Sequence, residues 1–358
     1  MISAALAETI LRRYPEADQY PYRSWSYPQG FVLWGFIRLY EKTGNGAYRK
    51  YVLDWCGKHV NPEGEISGFT GVSLDDIMPG SVLVWAYTET KEAKYRRACE
   101  RIRRVFDDYP RNKNGGFWHG KALPGEMWVD GLFMGLMFLT RYGRYIDDAD
   151  YCFKETVRQL TTVYDCCNKD GTGLLYHAYS EDGRPDWASP LTGRSPEVWS
   201  EGLGWYAMML AEAAELMPDT VQGKDQLIRQ LQLLADSLAR VLDPGQHLWF
   251  QVVDKPKTDK NWHDTSGSAM FLYSMHKARR LGLLGPDWDQ RCREVFSALK
   301  TKMIPDTEGN INVYDACNGL CVQPDYDAYV FHPRSVNCQE AVAAALWAAA
   351  EMEFGGTE

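Results

Sequence analysis

Apolar residues recur at helical spacing along almost the whole chain. We predict helices at 3–13, 28–42, 46–59, 77–90, 91–108, 127–142, 147–166, 198–216, 225–241, 265–281, 287–301 and 335–352. Strand-like stretches are short, at 173–179 and 248–253, and we expect small β-hairpins on loops there. The pattern predicts an all-α protein with short β-hairpins.

Two kinds of predicted helix alternate along the chain. The segments at 28–42, 77–90, 127–142, 198–216, 265–281 and 335–352 are small or apolar nearly all round, whereas the alternate segments carry a charged face. Helices that are apolar all round are buried, and amphipathic helices lie outside them. Six buried helices inside six amphipathic ones predict an (α/α)6 barrel, formed as a single domain over residues 1–358 because no linker-like segment divides the chain.

A short polar and aromatic motif stands at the start of each predicted inner helix. The six motifs contain Trp25-Ser-Tyr27, Asp75-Asp76, Trp128-Val-Asp130, Trp199-Ser-Glu201, His263-Asp264 and Asn337-Cys-Gln-Glu340. They recur every ~50 to 75 residues, the spacing of a two-helix repeat. Since alternate helices run the same way, we expect all six starts to meet at one end of the barrel.

Composition narrows the possible partners. A net charge of -9 argues against nucleic acid, because phosphate binding needs clustered lysine and arginine. No apolar run reaches the ~18 residues of a membrane span, and the first residues predict an amphipathic helix rather than a leader. The nine cysteines are scattered, so we expect reduced thiols and a cytoplasmic protein. No phosphate loop or metal-ligand spacing is found, and we predict no metal and no cofactor.

Asp130 is the foremost catalytic candidate, because it follows Trp128 at the start of an almost wholly apolar helix. Helix capping explains an aspartate there as well as catalysis does, and both remain open. Of Asp75 and Asp76, we expect one to cap a helix and the other to face Asp130. Two carboxylates in one pocket of low dielectric constant push their pKa values apart, and a paired acid and base is the common equipment of glycoside hydrolysis.

Further candidates lie beside these carboxylates. His119 and His177 stand on loops before inner helices, where each either orients a carboxylate or is merely exposed; His263 has the same status. Trp199 and Trp205 flank Glu201. Their rings suit stacking on a sugar, but core packing is the expected fate of at least one.

Taken together, these motifs resemble the unsaturated rhamnogalacturonyl hydrolases of glycoside hydrolase family 105 and, more distantly, the unsaturated glucuronyl hydrolases. The resemblance follows the chain in order through Trp25-Ser-Tyr27, Leu74-Asp-Asp-Ile77, Gly116-Phe-Trp-His119, Met127-Trp-Val-Asp130-Gly131, Leu175-Tyr-His177, Gly204-Trp205-Tyr206 and Asp264-Thr-Ser-Gly-Ser-Ala-Met270. It implies an (α/α)6 barrel that acts without a metal. The implied partner is an oligosaccharide with a terminal unsaturated uronic acid, which the enzyme removes from the non-reducing end.

The resemblance also implies a hydration mechanism. Protonated Asp130 donates to C4 of the C4=C5 double bond, and the same residue, now a carboxylate, activates water for addition at C5. Asp75, the first aspartate of a Leu-Asp-x-Ile pattern, is the implied partner carboxylate, and His177 contacts the substrate or the acid. The implied sugar pocket is lined by Tyr27, His119, Trp128, Trp199, Glu201 and Trp205.

Two departures from the family pattern concern the substrate. Glu201 stands where the family often has arginine, and a carboxylate there is expected to repel a uronate. The residues at 337–340 replace a block in which members tend to have Asn-Asp and a histidine. We expect Arg194, His119 or backbone amides to replace the missing cation.

Three other interpretations remain. A conventional inverting glycosidase on the same barrel would use Asp130 and Glu201 as acid and base. A sugar epimerase would need paired histidines, and those of this chain are too dispersed. A sugar-binding homologue without catalysis would explain Glu201, but the joint presence of Asp75, Asp130 and His177 argues against it.

Overall fold

The computed structural model describes residues 1–255, 258 and 260–356. The helices are α1 (Ile2–Arg13), α2 (Tyr27–Thr43), α3 (Gly46–His59), α4 (Leu74–Ile77), α5 (Gly80–Thr90), α6 (Ala93–Val105), α7 (Val129–Tyr145), α8 (Ala149–Cys167), α9 (Ser200–Leu216), α10 (Lys224–Val241), α11 (Thr265–Arg280), α12 (Asp287–Lys300), α13 (Tyr326–Val330) and α14 (Gln339–Phe354). The strands are β1 (Glu126–Trp128), β2 (Ala178–Ser180), β3 (Met303–Pro305), β4 (Ile311–Val313), β5 (Ala316–Cys317) and β6 (Arg334–Ser335).

The long helices form two concentric rings. In the inner ring, α2, α5, α7, α9, α11 and α14 each pack against the next, and α14 closes the ring against α2. In the outer ring, α3, α6, α8, α10 and α12 each pack on the inner helix that precedes them, and α1 packs on α14. This is the (α/α)6 barrel that the alternation of helix types predicts.

Closure of the inner ring depends on α14, whose residues from Glu340 to Glu351 are buried. Its Trp347 donates from the indole N–H to the backbone carbonyl of Phe31 on α2, at 2.8 Å. Near the chain ends, the backbone N–H of Ile2 donates to Glu353 at 2.6 Å. The first outer helix and the last inner helix are therefore joined directly.

Two predicted inner helices differ from the observed ones. The helix expected at 77–90 begins only at Gly80, as α5, and the short helix α4 precedes it; Pro79, which has no N–H to continue a hydrogen-bond ladder, separates the two. The helix expected at 335–352 begins only at Gln339. Before it, Arg334–Ser335 forms β6, and Asn337 has a positive φ of 62°, which no helical residue has.

Short antiparallel pairs on loops are observed, as predicted, although only part of the two predicted stretches forms regular strand. Within 173–179, Leu175 forms an isolated antiparallel bridge with the nearby Asn168, whereas the stretch that becomes β2 pairs with β1, which lies about fifty residues earlier. The segment 248–253 contributes only the isolated bridges Trp199↔Val252 and Phe250↔His263. Strands β3 and β4 form a further hairpin, which sequence alternation did not indicate. These short strands form where loops from different parts of the chain meet, and the local sequence carries little information about those meetings.

Two expectations from composition can be compared with the structure. All nine cysteines are free, and seven of them are buried. Among the helices of the described residues, none combines the length and apolarity needed to cross a membrane.

The inner ring carries buried charges at the end where its helices finish. We call Arg38, Arg141, Glu212, Tyr273 and Lys277 the rear charge cluster. The Glu212 carboxylate, 1% exposed, accepts from Arg38 at 2.7 Å and Lys277 at 2.5 Å, and also from Arg141 and Tyr273. Cations near helix C-termini are favoured by the helix dipole. One buried carboxylate therefore joins four inner-ring side chains.

We expect Glu212→Ala to lower the free energy of unfolding by about 3–5 kcal/mol, because it leaves several buried cations without their shared partner. Urea denaturation followed by circular dichroism measures the effect. Asp54→Asn is the control, since Asp54 forms a highly exposed pair with Lys50 and its loss is expected to leave the midpoint unchanged. Equal midpoints for the two variants would contradict the assigned role of the cluster.

Candidate active site

A cavity of about 480 Å³ lies where the inner helices begin. Eight of the nine site residues predicted from the sequence line it, namely Tyr27, Asp75, His119, Trp128, Asp130, Trp199, Glu201 and Trp205. The ninth, His177, lies behind Asp130 and does not line the cavity. Motifs one, two, three, four and six contribute to the lining, and motif five does not. The fifth motif lies beside the cavity, where Ser266 donates to Glu201 at 2.6 Å, so the expected gathering of helix starts at one end is observed.

Asp130 occupies the first turn of α7, directly after β1. Trp128 is the residue before the helix and Asp130 lies inside it, so capping does not account for the aspartate. The Asp130 side chain is 15% exposed, and its Oδ1 lies 3.6 Å from Nε2 of His177. Neither of these two atoms has a hydrogen-bond partner among the described residues. Hydrogen bonds in a catalytic site are often this long before a substrate binds.

His177 is held rigidly behind Asp130. Its ring is buried, packs 4.5 Å from the Trp199 ring and joins Nδ1 to the hydroxyl of Tyr329 at 2.8 Å. Burial alone would raise the pKa of Asp130, but the interaction with His177 and the charges of His119 and His177 hold it below its usual value. Asp130 is therefore a carboxylate in the free protein.

Asp75 faces the same cavity from α4. Its Oδ2 lies 3.7 Å from Nε2 of His119, and 24% of the side chain is exposed. Burial raises the pKa of Asp75 to about 6; the negative charges of Asp130 and Asp76 add to this, and His119 opposes it. Asp75 thus keeps its proton to a much higher pH than an ordinary aspartate.

The neighbouring Asp76 has a different environment. Its carboxylate accepts a hydrogen bond from the hydroxyl of Thr70, and its backbone carbonyl accepts from the indole of Trp25 at 2.9 Å. The cap of α4 is Ser73, whose hydroxyl accepts from the N–H of Asp75 at 3.2 Å. The expectation that one of the two aspartates caps the helix is therefore wrong, because serine already fills that position.

The two candidate carboxylates are separated in pKa, as the sequence predicts for a shared pocket. The direction differs from the sequence expectation, in which Asp130 carries the proton. In the free protein Asp75 is the more readily protonated of the two, because two histidines act on Asp130 and one acts on Asp75.

Aromatic rings form the wall of the cavity. His119 stacks on Trp128 with ring centres 4.2 Å apart and 13° between planes. A side chain at Gly131 would place its Cβ 2.3 Å from the His119 ring, so glycine is required beside Asp130. Trp199 and Trp205 line the cavity but are each only 2% exposed, so both belong largely to the core.

Glu201 lies in a group of buried acids. Its Oε2 accepts from the hydroxyl of Ser266 at 2.6 Å, and nearby Glu340 accepts from the hydroxyl of Tyr27 at 2.5 Å. Burial raises the pKa of Glu201 well above its usual value, and the charges of Glu340 and Asp264 raise it further. The protonated form of Glu201 is therefore favoured in comparison with an ordinary glutamate. A raised pKa weakens the expected repulsion of a uronate, because the protonated carboxyl group carries no charge.

Two further candidate residues from the sequence, Arg194 and His263, lie outside the cavity. Arg194 donates from Nε to the carbonyl of Cys166 at 2.6 Å and does not line the cavity, so it does not replace the missing cation. His263 pairs with Asp243 at 2.8 Å, also away from the cavity. Within the described residues, no group of three or more histidine, cysteine, aspartate or glutamate side chains is arranged to hold a metal ion.

Sequence reasoning missed residues that loops bring to the site. Tyr22, Arg23 and Cys321 line the cavity, and Tyr329 holds His177. Tyr22 and Arg23 stand just before the first motif, which is the one signal that could have indicated them. Tyr329 is 152 residues from its partner, and no spacing in the sequence relates the two.

A known protein family matches almost the whole chain. The sequence model of Glycosyl Hydrolase Family 88 matches residues 2–354. Protein Atu3128 of Agrobacterium fabrum (strain C58 / ATCC 33970) is 36% identical over 151 residues, which cover 42% of this chain and 63% of that protein. The chain thus spans less than two thirds of this relative's length.

Two further proteins extend the comparison. The unsaturated rhamnogalacturonyl hydrolase YesR of Bacillus subtilis (strain 168) is 25% identical over 260 residues, covering 71% of this chain and 72% of YesR. A glycoside hydrolase from family 105 of C. acetobutylicum ATCC 824 superposes with a TM-score of 0.92 at 28% identity, covering 98% of this chain and 99% of that one. The resemblance indicated by the motifs is confirmed. The chain belongs to Glycosyl Hydrolase Family 88 and is related to the glycoside hydrolases of family 105.

Proposed function

We propose that the protein is a glycoside hydrolase that removes a 4,5-unsaturated uronic acid from the non-reducing end of an oligosaccharide produced by a polysaccharide lyase. The observation that carries the proposal is the pair Asp75 and Asp130, two buried carboxylates of separated pKa in one aromatic cavity. The name of YesR supports the substrate class. We also propose a cytoplasmic location, which the free cysteines support.

The reaction begins at the C4=C5 double bond of the sugar. Asp75, which holds a proton up to about pH 6, donates it to C4, and the ring oxygen stabilises the cation that forms at C5. Asp130, ionised and backed by His177, takes a proton from the water that adds to C5. This assigns acid and base to two residues, whereas the sequence expectation gave both roles to Asp130.

The product of hydration is a hemiketal at C5. Cleavage of the bond between C5 and the ring oxygen gives a C5 ketone and leaves C1 as a hemiacetal, which expels the remaining oligosaccharide. Since no bond at C1 is attacked, both anomers of a substrate are expected to react. The remaining cavity residues bind the sugar: Tyr27, His119, Trp128, Trp199, Glu201 and Trp205.

Purified protein is expected to bleach the ultraviolet absorbance of an unsaturated uronyl disaccharide, because hydration removes the conjugated double bond. Asp130→Asn removes the base and is expected to lower the rate by about 10²–10⁴-fold. The matched control is Asp150→Asn, which makes the same change in the first turn of the outer helix α8, at an exposed position. Persistent absorbance with the unaltered protein, on both pectin-derived and glycosaminoglycan-derived substrates, would instead indicate a sugar-binding homologue.

The rate is expected to depend on pH through Asp75. The active form requires its proton, so kcat/KM falls as the pH rises through about 6. His119→Gln removes a positive charge that lowers the Asp75 pKa, so the falling limb is expected to move to higher pH whatever happens to the absolute rate. Circular dichroism over the same pH range controls for unfolding. A limb that stays in place or moves to lower pH would exclude Asp75 as the acid.

A second candidate is conventional glycosidic hydrolysis, with protonated Glu201 as acid and ionised Asp130 as base. The opposite pKa shifts of these two residues favour it. Reaction in heavy-oxygen water separates the two functions. Hydration is expected to place the label in the released keto acid, and label at the anomeric carbon would establish the conventional reaction instead.

A further inference from the structure

Tyr22 and Arg23 stand at the mouth of the cavity, in a segment outside the six motifs. Both line the cavity, and the Tyr22 side chain is 59% exposed. Tyr22 has a backbone φ of 92°, a value that a bulky residue rarely adopts. Backbone strain of this kind persists only where surrounding structure imposes it, and it concentrates at binding and catalytic sites.

Fixed contacts on both sides impose this conformation. Before the segment, the fully buried Gln29 donates from Nε2 to the backbone carbonyl of Tyr20 at 2.8 Å. After it, the buried Trp25 donates from its indole N–H to the carbonyl of Asp76 at 2.9 Å. The residues between these anchors are thereby held against the cavity.

Arg23 brings a positive charge to a site that is otherwise acidic. Of the described residues that line the cavity, it is the only arginine or lysine. Among the described residues, the Arg23 guanidinium has no ion-pair or hydrogen-bond partner. Its central carbon lies 5.4 Å from the centre of the Tyr22 ring. Burial raises the pKa of Asp75, and the charge of Arg23 is among the influences that lower it, so the two groups are within electrostatic reach.

The other expected cations are engaged. Arg194 is bound to a backbone carbonyl away from the cavity, and His119 faces Asp75. A uronate carboxylate that enters beside Asp75 and Asp130 adds a third acidic group to a confined space. It needs a cation there, and a planar guanidinium offers a carboxylate two parallel hydrogen bonds.

We propose that Arg23 binds the carboxylate of the unsaturated uronic acid and takes the place of the arginine that Glu201 replaces. This inference rests on the proposed function. Arg23 acts in recognition, at the mouth, and Asp75 and Asp130 carry out the chemistry deeper in the cavity. The anchored conformation at Tyr22 keeps the guanidinium over the entrance before the substrate arrives.

The experiment compares an unsaturated glucuronyl disaccharide with its methyl ester, which has the same ring and double bond but no charge. The unaltered protein is expected to prefer the acid in kcat/KM by about 10- to 100-fold, mainly through KM, as for a hydrogen bond to a charged group. Arg23→Gln is expected to lower kcat/KM for the acid and leave that for the ester unchanged, so the ratio of the two approaches one. Arg23→Lys, which keeps the charge without the paired geometry, is expected to restore part of the preference.

Arg293→Gln is the matched control, because it removes the same charge from an exposed arginine on the outer helix α12, and it is expected to keep the full preference. An unchanged preference in Arg23→Gln overturns the inference while the proposed function stands. If the unaltered protein turns over neither compound, the proposed function fails. Titration calorimetry then decides the inference alone, through the ratio of Kd values for the acid and the ester.

Discussion

The structure depends on closure of the inner helical ring. Helices that are apolar on every side are stable only when neighbours cover every side, and a closed ring of six with an outer ring of six provides this cover. Because all inner helices run the same way, closure also brings their starts to one end and their finishes to the other. The contact of α14 with α2, through Trp347 and Phe31, therefore supports both the fold and the site.

The pKa values of buried carboxyl groups are shifted in opposite directions at the two ends of the ring. At the rear, Glu212 is surrounded by Arg38, Arg141 and Lys277, cations that the C-terminal ends of helices favour, and its pKa is held well below its usual value. At the front, burial raises the pKa values of Asp75 and Glu201, and the charges of neighbouring acids add to the rise. The ion pairs of the rear charge cluster stabilise the fold. At the front, the raised pKa values favour protonated carboxyl groups, which acid catalysis requires.

Much of the site follows from the sequence, because most of its predicted residues stand at or just before the start of an inner helix. Asp130, Asp75 and Glu201 all reach the cavity on this basis. What lies outside the inner helices was less predictable. Arg23 lies on a loop and Tyr329 on the short helix α13, and the positions of both depend on contacts across the barrel. The pairing of β1 with β2 depends on such contacts as well.

The amino-acid sequence alone predicts the two helix types, the twelve long helices of the (α/α)6 barrel and eight residues of the cavity lining, since apolar periodicity and position along a helix are local properties. The pKa shifts of those residues depend on the folded structure. Whether Asp75 or Asp130 holds the proton, and whether Glu201 is charged, depends on burial and on histidines and acids brought from distant segments. Electrostatic energy depends on distance in space, and distance along the chain does not report it.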